Sequence, residues 1–441
     1  MKKIIKKILI KLLILIAKAI LWQHKPYIIA VTGNLGKTTT KDSMVSALSN
    51  LYVRGSAKSL NSDIGIPLTI IGSSNPWSRI DKWILVLGKG VATFFAREYP
   101  EYLILEVGAD MPGDILSITK WLRPQIVVVT QFADVPVHVE NFNNDRDMVI
   151  REKEYLAMAA EEMLIYNGDD IDCQNIAKRV HMQNDKIHRV SFGRGIHNTL
   201  MLRDVGNSYD LHSVVGTVEY DHRLYKVELD DTLGVASVLA IMPAILTSIY
   251  INGYENEYEG DDDLLNVIGD TIKRLNNIVR QPGRMHPLYG IRNTLIIDDT
   301  YNSSPKAVEN GLETLRDISP KYRRIIVLGD MKELGNKSES EHYRIGRIIP
   351  SSGNVLITLG IEAKHIARGA RDAGMRDGWV LVCDTLEEVI SELESIITSG
   401  DIIYIKGSQS MRMEKVVRAI LSDDHDSEAV LTRQDKEWQK R

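Results

Sequence analysis

Eight residues near the start of the chain, 32–39, read Thr-Gly-Asn-Leu-Gly-Lys-Thr-Thr and lie between a short apolar run and a helical pattern. Glycines in such a loop let backbone N–H groups close around phosphate oxygens, and the N-terminus of the following helix favours negative charge. The loop keeps the GxxGKT core of a phosphate-binding loop, although Val31 stands where the longer consensus has its first glycine. Because this loop needs a strand before it and a helix after it, it constrains the chain to an α/β fold.

Short apolar runs alternate with longer helical patterns along most of the chain, which is typical of βαβ units around a parallel sheet. A first group of strands is predicted at 27–31, 102–105, 126–130 and 163–166. A second group is predicted at 294–297, 324–328, 355–359, 379–382 and 402–405. Between the groups, 186–230 predicts antiparallel strands of a flanking element, 233–251 a helix and 255–263 an acidic loop.

The predicted fold class is therefore α/β, with a phosphate-loop central domain on a mostly parallel sheet and a Rossmann-like, doubly wound C-terminal domain. A chain of 441 residues is also too long for one compact domain. The predicted divisions are a basic amphipathic helix (1–25), the central domain (26–281), the C-terminal domain (282–422) and a charged tail (423–441). The tail is expected to be mobile, with docking of Trp438 as the alternative.

The first 25 residues are basic and amphipathic, and the first acid of the chain is Asp42. The lysines are Lys2, Lys3, Lys6, Lys7, Lys11, Lys18 and Lys25. At helical spacing one face is apolar, and it holds Ile4, Ile5, Ile8, Leu9, Leu12, Leu15, Ile16, Ala19 and Ile20. Because lysines interrupt this apolar run, it falls short of the roughly 20 residues that cross a bilayer.

Binding of residues 1–22 to the surface of an anionic membrane is the favoured interpretation of this helix. Packing of its apolar face on the protein itself or on a second subunit is one alternative, and a true membrane anchor is another. A secretory signal is disfavoured because no small-residue cleavage site precedes the phosphate loop.

Charge and cysteine content exclude two further classes. The net charge is -5, and beyond the first 25 residues no basic block suits nucleic-acid binding. Cys173 and Cys383 are far apart, so neither a disulfide framework nor a zinc ribbon is indicated, and a reducing cytoplasm fits.

Several residues carry chemistry that their positions alone suggest. Nucleotide phosphates are expected on Gly33, Asn34, Gly36, Lys37, Thr38 and Thr39. In this loop Lys37 supplies positive charge and Thr38 a hydroxyl for Mg²⁺. Glu106 ends a buried strand at the edge where ligands bind, and an acid there is costly unless it holds a cation or forms a salt bridge.

Eight motifs occur in an order that resembles the Mur ligase family. Four lie in the first half of the chain, at 59–67, 105–113, 138–142 and Lys153. Four lie in the second half, at 282–284, 298–305, 329–335 and 406–414. The second set is similar to the branch of the family that adds D-alanyl-D-alanine to UDP-N-acetylmuramoyl-tripeptide. The resemblance covers residues 27–420.

The resemblance implies an ATP- and Mg²⁺-dependent ligase that activates a carboxylate as an acyl phosphate. The resemblance implies that His138 binds a second Mg²⁺ and that Lys153 is carbamylated by CO₂ to become a metal ligand. By the same resemblance Arg284 would reach the γ-phosphate and Asp299 the ribose, while Tyr301 and Asn302 would line the nucleotide. The implied catalytic residues are Lys37, Glu106, His138, Lys153 and Arg284.

The implied substrates are a muropeptide, either soluble or lipid-linked, and a dipeptide amine, in the cytoplasm or at the inner face of the plasma membrane. The family's N-terminal UDP-binding domain does not precede the phosphate loop here, which begins at residue 32. An acceptor presented at the membrane is therefore one hypothesis. A folylpolyglutamate-synthase-like or other cell-envelope ligase, and an inactive nucleotide-binding scaffold, are the alternatives.

Two positions leave their roles open. The run from Asp231 stands where the family commonly has asparagines that hold adenine. The segment 406–414 follows a predicted strand and opens a helix, so its backbone amides could bind an anion, or Ser408 could simply cap the helix. On sequence alone Lys153 would lie on a solvated helix face and His138 would be an ordinary loop histidine.

Overall fold

Strand β1, which leads into the phosphate loop, lies inside a nine-stranded sheet in this computed structural model. The structure describes residues 3–56, 60–77, 79–256, 261–276, 278, 281–434 and 438, so Ser59 of the first motif lies outside the described part. The strands are β1 (Tyr27–Thr32), β2 (Val53–Gly55), β3 (Tyr102–Glu106), β4 (Ile126–Val129), β5 (Met163–Asn167), β6 (His188–Gly193), β7 (Leu200–Asn207), β8 (Ser213–Tyr220) and β9 (Arg223–Asp230). Their order is β2-β3-β1-β4-β5-β6-β7-β8-β9.

The sheet is parallel from β2 to β7 and antiparallel from β7 to β9. The prediction that the whole stretch 186–230 is antiparallel is therefore wrong for β6, which pairs in parallel with β5. A helix connects β5 to β6, and such a crossover returns the chain in the same direction. The β8–β9 hairpin is closed by Asp221 and His222, both at positive φ, as a two-residue turn requires.

Helices cover both faces of this sheet. They are α1 (Lys3–His24), α2 (Lys37–Ala47), α3 (Gly65–Ile71), α4 (Ile80–Phe94), α5 (Asp114–Thr119), α6 (Arg146–Ala157), α7 (Ile171–Gln183), α8 (Val235–Asn256) and α9 (Asp261–Asn276). One core layer holds apolar side chains of α1 and α3 to α7, and the other holds those of α2, α8 and α9. The predicted loop at 255–263 is shorter than expected, since only 257–260 separate α8 from α9 and those residues lie outside the described part.

The second sheet has six strands in the order β10-β11-β15-β12-β13-β14. They are β10 (His286–Gly290), β11 (Thr294–Asp298), β12 (Arg324–Gly329), β13 (Val355–Leu359), β14 (Val380–Cys383) and β15 (Ile402–Lys406). All neighbours are parallel except β10, an antiparallel edge strand that contains Pro287, a residue tolerated mainly at edges. Its helices are α10 (Pro305–Asp317), α11 (Ser338–Ile348), α12 (Ala363–Asp372), α13 (Leu386–Ile396), α14 (Glu414–Ile420) and α15 (Ser427–Val430).

The predicted mobile tail is partly folded onto this second sheet. Leu431 and Thr432 are buried after α15, and Leu431 joins the core beneath α13 and α14. Arg433 donates to Glu414 Oε2 at 2.8 Å, so an apolar residue and an ion pair anchor a segment that composition alone suggests is solvated. The segment 435–437 lies outside the described residues, and Trp438 lies near Arg412, 5.8 Å from guanidinium carbon to ring centroid.

Helix α1 packs one of its faces on the protein. Leu9, Leu13, Ala17 and Ile20 are buried in the core layer that also contains α3 and α4. The predicted apolar face is therefore divided, because Leu9 and Ile20 point inward while Ile8, Leu12 and Leu15 are exposed. Packing on the protein itself, one of the alternatives for this helix, holds for the buried half. Among the described helices only 235–253 of α8 is long and apolar enough to cross a membrane, and 67% of that window is buried, as in a core helix.

Leu13→Ala is expected to destabilise the protein by about 2 to 5 kcal/mol, because the side chain is fully buried and its loss leaves a cavity. Leu12→Ala, on the exposed side of the same helix, should change the free energy of unfolding by less than about 0.5 kcal/mol. Urea unfolding of the two variants compares them directly. Equal losses would mean that α1 does not dock as described.

Candidate active site

The phosphate loop is folded against the end of β4. Thr130 Oγ1 donates to Leu35 O at 2.6 Å, and Asn34 N donates to Gln131 O at 2.7 Å. Gly33 has φ 139° and a Cβ there would lie 2.1 Å from Thr130 Oγ1, so only glycine fits. Gly36, at φ 78°, starts α2 and leaves the first N–H groups of the helix at the loop.

Lys37 lies over the loop that it follows. Its Nζ donates to Gly33 O at 2.9 Å and to Asn34 O at 3.1 Å. Burial lowers the pKa of Lys37, the nearby Arg284 lowers it further, and Glu106 opposes both. Charged side chains of both domains, Glu106 and Arg284, therefore lie close to Lys37.

Glu106 is the buried carboxylate at the end of β3, where the register sets it beside Val31 of β1. Asn61 donates to its Oε1 at 3.2 Å, and the Asn61 carbonyl accepts from Gly108 N at 2.9 Å. Asn61 belongs to a motif that the sequence singled out without assigning this residue a role. It fixes the orientation of the Glu106 carboxylate.

Lys153 is 4% exposed on α6, so it does not lie on a solvated helix face. Burial lowers its pKa to about 7, and repulsion from Lys37 contributes next. The preceding Glu152 is buried as well and accepts from the backbone N–H groups at the start of α5, with distances of 2.9, 2.7 and 3.0 Å to Gly113, Ile115 and Leu116. This cap locks α6 against α5 and directs Lys153 into the site.

His138 connects the two domains. It has φ 68°, and its ring nitrogens lie 3.3 Å from Asp110 Oδ1 and 3.1 Å from Glu333 Oε2. Its backbone N–H donates to Glu333 O at 3.0 Å, and nearby Asn336 N donates to Asn144 Oδ1 at 2.9 Å. The loop after β12 therefore contacts the first domain next to the phosphate loop.

Arg284 reaches the phosphate loop from the segment that joins the domains. Its guanidinium carbon lies 4.1 Å from the centroid of the Tyr301 ring, and its Nε, although buried, has no hydrogen-bond partner among the described residues. The turn before it needs Gly283, at φ 74°, because a Cβ would lie 2.9 Å from Tyr301 N. Burial raises the pKa of Asp42 on α2, and the ion pair with Lys41 and, more weakly, the nearby Arg284 oppose that rise.

The Asp299 carboxylate accepts hydrogen bonds from residues of its own domain. Lys406 Nζ donates to Asp299 Oδ2 at 2.6 Å, Tyr404 OH donates to the same oxygen at 3.1 Å, and Met285 N lies 3.3 Å from Oδ1. Lys406 also donates to Asn302 O at 2.8 Å. The buried lysine thus shapes the loop 299–302 that holds the expected nucleotide-lining residues.

Ser408 precedes a single 3-10 turn, Gln409–Met411, but its side chain does not cap that turn. Its Oγ accepts from Lys332 N at 2.8 Å and its N–H donates to Asp330 O at 3.0 Å, so it ties the end of β15 to the loop after β12. The helix that follows, α14, begins only at Glu414 and has seven residues. The prediction that the Ser408 side chain caps a helix is therefore wrong, whereas an anion site on the backbone amides of 406–414 stays a prediction.

These groups line one cleft of about 330 Å³ between the two domains. Of the candidate residues, the cleft is lined by Asn34, Gly36, Lys37, Thr38, Thr39, Glu106, His138, Lys153, Arg284, Asp299, Tyr301 and Asn302. Gly33 is not among these lining residues, although its carbonyl accepts from Lys37 Nζ. The cleft also has lining residues that the sequence did not single out as site residues: Asp42, Asn61, Asp110 and Lys406. All of these except Asp42 stand inside motifs quoted for the resemblance, and Asp42 follows the phosphate loop by less than two helical turns.

The donor set of the cleft suits Mg²⁺. In proteins this ion takes one or two carboxylates and completes its shell with water and substrate phosphates. Thr38 and Glu106 provide a hydroxyl and a carboxylate, both buried and both lining the cleft. Within the described residues no group of three or more His, Cys, Asp and Glu side chains is arranged to hold a metal, so other oxygens must contribute.

Two family descriptions match most of the chain: "Mur ligase middle domain" over residues 31–246 and "Mur ligase, glutamate ligase domain" over 283–409. The UDP-N-acetylmuramoyl-tripeptide–D-alanyl-D-alanine ligase of Bacillus subtilis is 25% identical over 410 residues, covering 92% of this chain and 78% of that protein. The ligase of the same name from Escherichia coli is 26% identical, with 89% and 76% covered. The MurF ligase of Thermotoga maritima, solved in complex with ADP, superposes with a TM-score of 0.71 at 22% identity, covering 93% of this chain and 83% of that one.

Proposed function

The chain belongs to the Mur ligase family, and we propose that it is an ATP-dependent ligase that joins a muramoyl-tripeptide carboxylate to D-alanyl-D-alanine in peptidoglycan precursor synthesis. The observation that carries the proposal is that one interdomain cleft gathers the phosphate loop, Glu106, Lys153 and Arg284. The relatives named above support the choice of substrates. A scaffold without turnover would have no need to keep these charged groups together at the cost of burying them.

The proposed reaction has two balanced steps. A carboxylate oxygen of the acceptor attacks the γ-phosphorus of ATP, ADP departs with the electron pair of the broken bond, and an acyl phosphate forms. The amine of the dipeptide then attacks the acyl carbon, and phosphate departs with the former carboxylate oxygen and takes up the proton that the amine loses. The products are the amide, ADP and inorganic phosphate.

The chain's own residues bind and orient the nucleotide in this proposal. Backbone N–H groups of the loop and Lys37 hold the phosphates, while Arg284 offsets the charge that develops on the transferring phosphoryl group. Tyr301 and Asn302 line the nucleotide, and Asp299 faces the ribose while Lys406 fixes its position. Contact between His138 and Glu333 keeps the cleft closed, which protects an acyl phosphate from water.

Thr38 and Glu106 are the proposed ligands of Mg²⁺, which neutralises phosphate charge when it is bound. His138 and Lys153 would complete a second metal position. We propose that Lys153 is carbamylated: its neutral amine adds CO₂ and loses a proton, which turns a buried cation beside Lys37 into an anion. Its burial, with a pKa of about 7, supports this, because the neutral amine is the form that reacts.

We also propose that the enzyme is cytoplasmic and peripheral on the inner face of the plasma membrane, where a lipid-linked muropeptide could serve as acceptor. Support comes from the exposed half of α1, where Ile8, Leu12 and Leu15 alternate with lysines. Since Leu13 and Ala17 of the same helix are core residues, deletion of α1 would unsettle the fold, and surface substitutions are the cleaner test.

Phosphate release with ATP, Mg²⁺ and a panel of acceptors and amines tests the proposed substrates. Release should require both a muramoyl-tripeptide acceptor and D-alanyl-D-alanine, with UDP-linked and lipid-linked forms of the acceptor compared side by side. Stimulation by glutamate with a folate would instead support the folylpolyglutamate-synthase-like alternative. ATP binding without turnover on any pair would support the scaffold.

A further inference from the structure

Helix α4 exposes an almost continuous apolar face. Ile84, Leu85 and Val91 of α4, and Phe95 directly after its last residue, are 69, 71, 53 and 75% exposed, although each side chain is large and apolar. The opposite side of the helix is buried through Trp83 and Val86. A cluster of four large, exposed apolar side chains is typical of a surface that binds a partner or a membrane.

Helix α1 lies directly beside α4 and continues that face. Gly90 of α4 packs so closely on α1 that a Cβ would lie 2.6 Å from Ile16 Cγ2, and His24 Nε2 lies 2.9 Å from Thr93 O. On the side of α1 that includes Ile16, the large apolar side chains of Ile8, Leu12, Leu15 and Trp22 are exposed. The two helices together therefore present one apolar surface, which we call the α1–α4 surface.

The charges around this surface are predominantly basic. Lys7, Lys11 and Lys18 are exposed along α1, and Lys82 and Lys89 are exposed on α4. Nearby acids include Asp81, paired with Arg79 at 2.6 Å, Glu98 and Glu101 after α4, and Asp63 near Lys6. Lysines are depleted in the cores of protein interfaces, whereas lysines beside exposed Trp, Phe and Leu are typical of helices lying in an anionic membrane surface.

We propose that α1 and α4 form a single docking surface for an anionic lipid bilayer, with both helices lying in its interface. The inference rests on the peripheral location proposed above and adds α4 as an equal partner of α1. Phe95 and Trp22, large aromatic side chains of which one comes from each helix, enter the headgroup boundary, and the lysines bind lipid phosphates.

The surface also fixes where the cleft lies relative to the bilayer. Helix α1 packs on α3, which begins at Gly65, four residues after Asn61, the partner of Glu106. Burial raises the pKa of Asp63, and Lys6 at the start of α1 is near enough to oppose that rise. The opposite end of α1 meets the beginning of β1, far from the phosphate loop. One end of the docked surface is thus beside the cleft, as an acceptor held at a membrane requires.

Co-sedimentation of the full chain with vesicles of phosphatidylcholine, with and without phosphatidylglycerol, tests the surface. Leu85→Ser with Phe95→Ser in α4 should weaken binding to the anionic vesicles at least about tenfold, and Leu12→Ser with Leu15→Ser in α1 should do the same. Omitting phosphatidylglycerol should weaken binding by about fivefold for each lysine in contact. Met182→Ser with Ile196→Ser, which removes equally exposed apolar side chains elsewhere, is the matched control.

Retained binding in the α4 variant, with loss in the α1 variant, would overturn the two-helix surface and leave a membrane role for α1 alone. Absence of vesicle binding by the unaltered chain would overturn both, yet the ligase assay would stand unaffected. A dimer in sedimentation velocity that the α4 variant dissociates would identify a second copy as the occupant and would also overturn the inference. Circular dichroism and thermal unfolding of each variant establish that the substitutions leave the fold intact.

Discussion

Lys153→Ala is expected to reduce acceptor-dependent phosphate release by at least about a hundredfold, a loss typical of removing one preorganised electrostatic group. The side chain is 4% exposed and lies in the cleft with Lys37 and Glu106. Because the position is closed to solvent, bulk water cannot replace the lost group. Bicarbonate with short carboxylic acids should restore part of the rate, because a small carboxylate can occupy the space of the carbamate. Steady-state phosphate release, with and without the added acids, measures both effects.

Arg151→Ala, which removes an exposed cation from the same helix, serves as the control and should retain full activity. Unchanged activity in Lys153→Ala would contradict the proposed carbamylation of Lys153. A variant that is inactive and not rescued, but normally folded, would leave Lys153 with a role as a lysine.

Arg284→Lys is expected to lower kcat by about a thousandfold, within the range seen when an arginine that contacts a transferring phosphoryl group is lost. Lysine keeps the charge but cannot stack on Tyr301, from which the guanidinium carbon lies 4.1 Å, and it lacks the planar fork of donors. Affinity for ADP should change little, because the arginine is proposed to contact only the γ-phosphate. Single-turnover kinetics and calorimetric titration of ADP separate the two quantities.

Arg376→Ala removes an exposed arginine of the same domain and should leave both quantities unchanged. If Arg284→Lys instead weakened ADP binding in proportion to the lost rate, the arginine would hold the nucleotide in its ground state. The assignment to the γ-phosphate would then be wrong.

The sequence predicts best what local patterns determine. Fully apolar runs bounded by loops identified most parallel strands, and the GxxGKT run fixed the position of the phosphate loop between β1 and α2. The candidate residues came together because parallel strands bring their carboxyl ends to one edge of each sheet, and the two edges face each other. Strand β2 has only three residues, too few for a pattern to be read, and the apolar run of β10 is interrupted by His286, Pro287 and the exposed Tyr289.

Features that depend on tertiary contacts could not be predicted in this way. The burial of Glu152 and Lys153 depends on the start of α5, which comes from another part of the chain. The partnership of Lys406 with Asp299 joins residues 107 positions apart. Ser408 lies where a helix cap would be expected, yet its partners come from the loop after β12.

Helix α1 gives an intermediate case. Its lysines and apolar residues predicted an amphipathic helix, which the structure contains. Helical spacing alone predicted one apolar face that contains both buried and exposed residues, because the sequence does not show which positions a neighbouring element covers. Leu9 and Ile20 of the predicted face pack on the core, together with Leu13 and Ala17, which the predicted face did not include. Leu12 and Leu15 of the predicted face remain exposed.

Transfer of an oxygen atom from the acceptor carboxylate to the released phosphate distinguishes ligation through an acyl phosphate from other routes. The acceptor is labelled with ¹⁸O in its reacting carboxylate and turned over with unlabelled ATP and D-alanyl-D-alanine. Ligation through an acyl phosphate should place one ¹⁸O atom in each phosphate released, since the bridging oxygen of the acyl phosphate departs with phosphorus. Unlabelled phosphate, formed together with the amide, would contradict it.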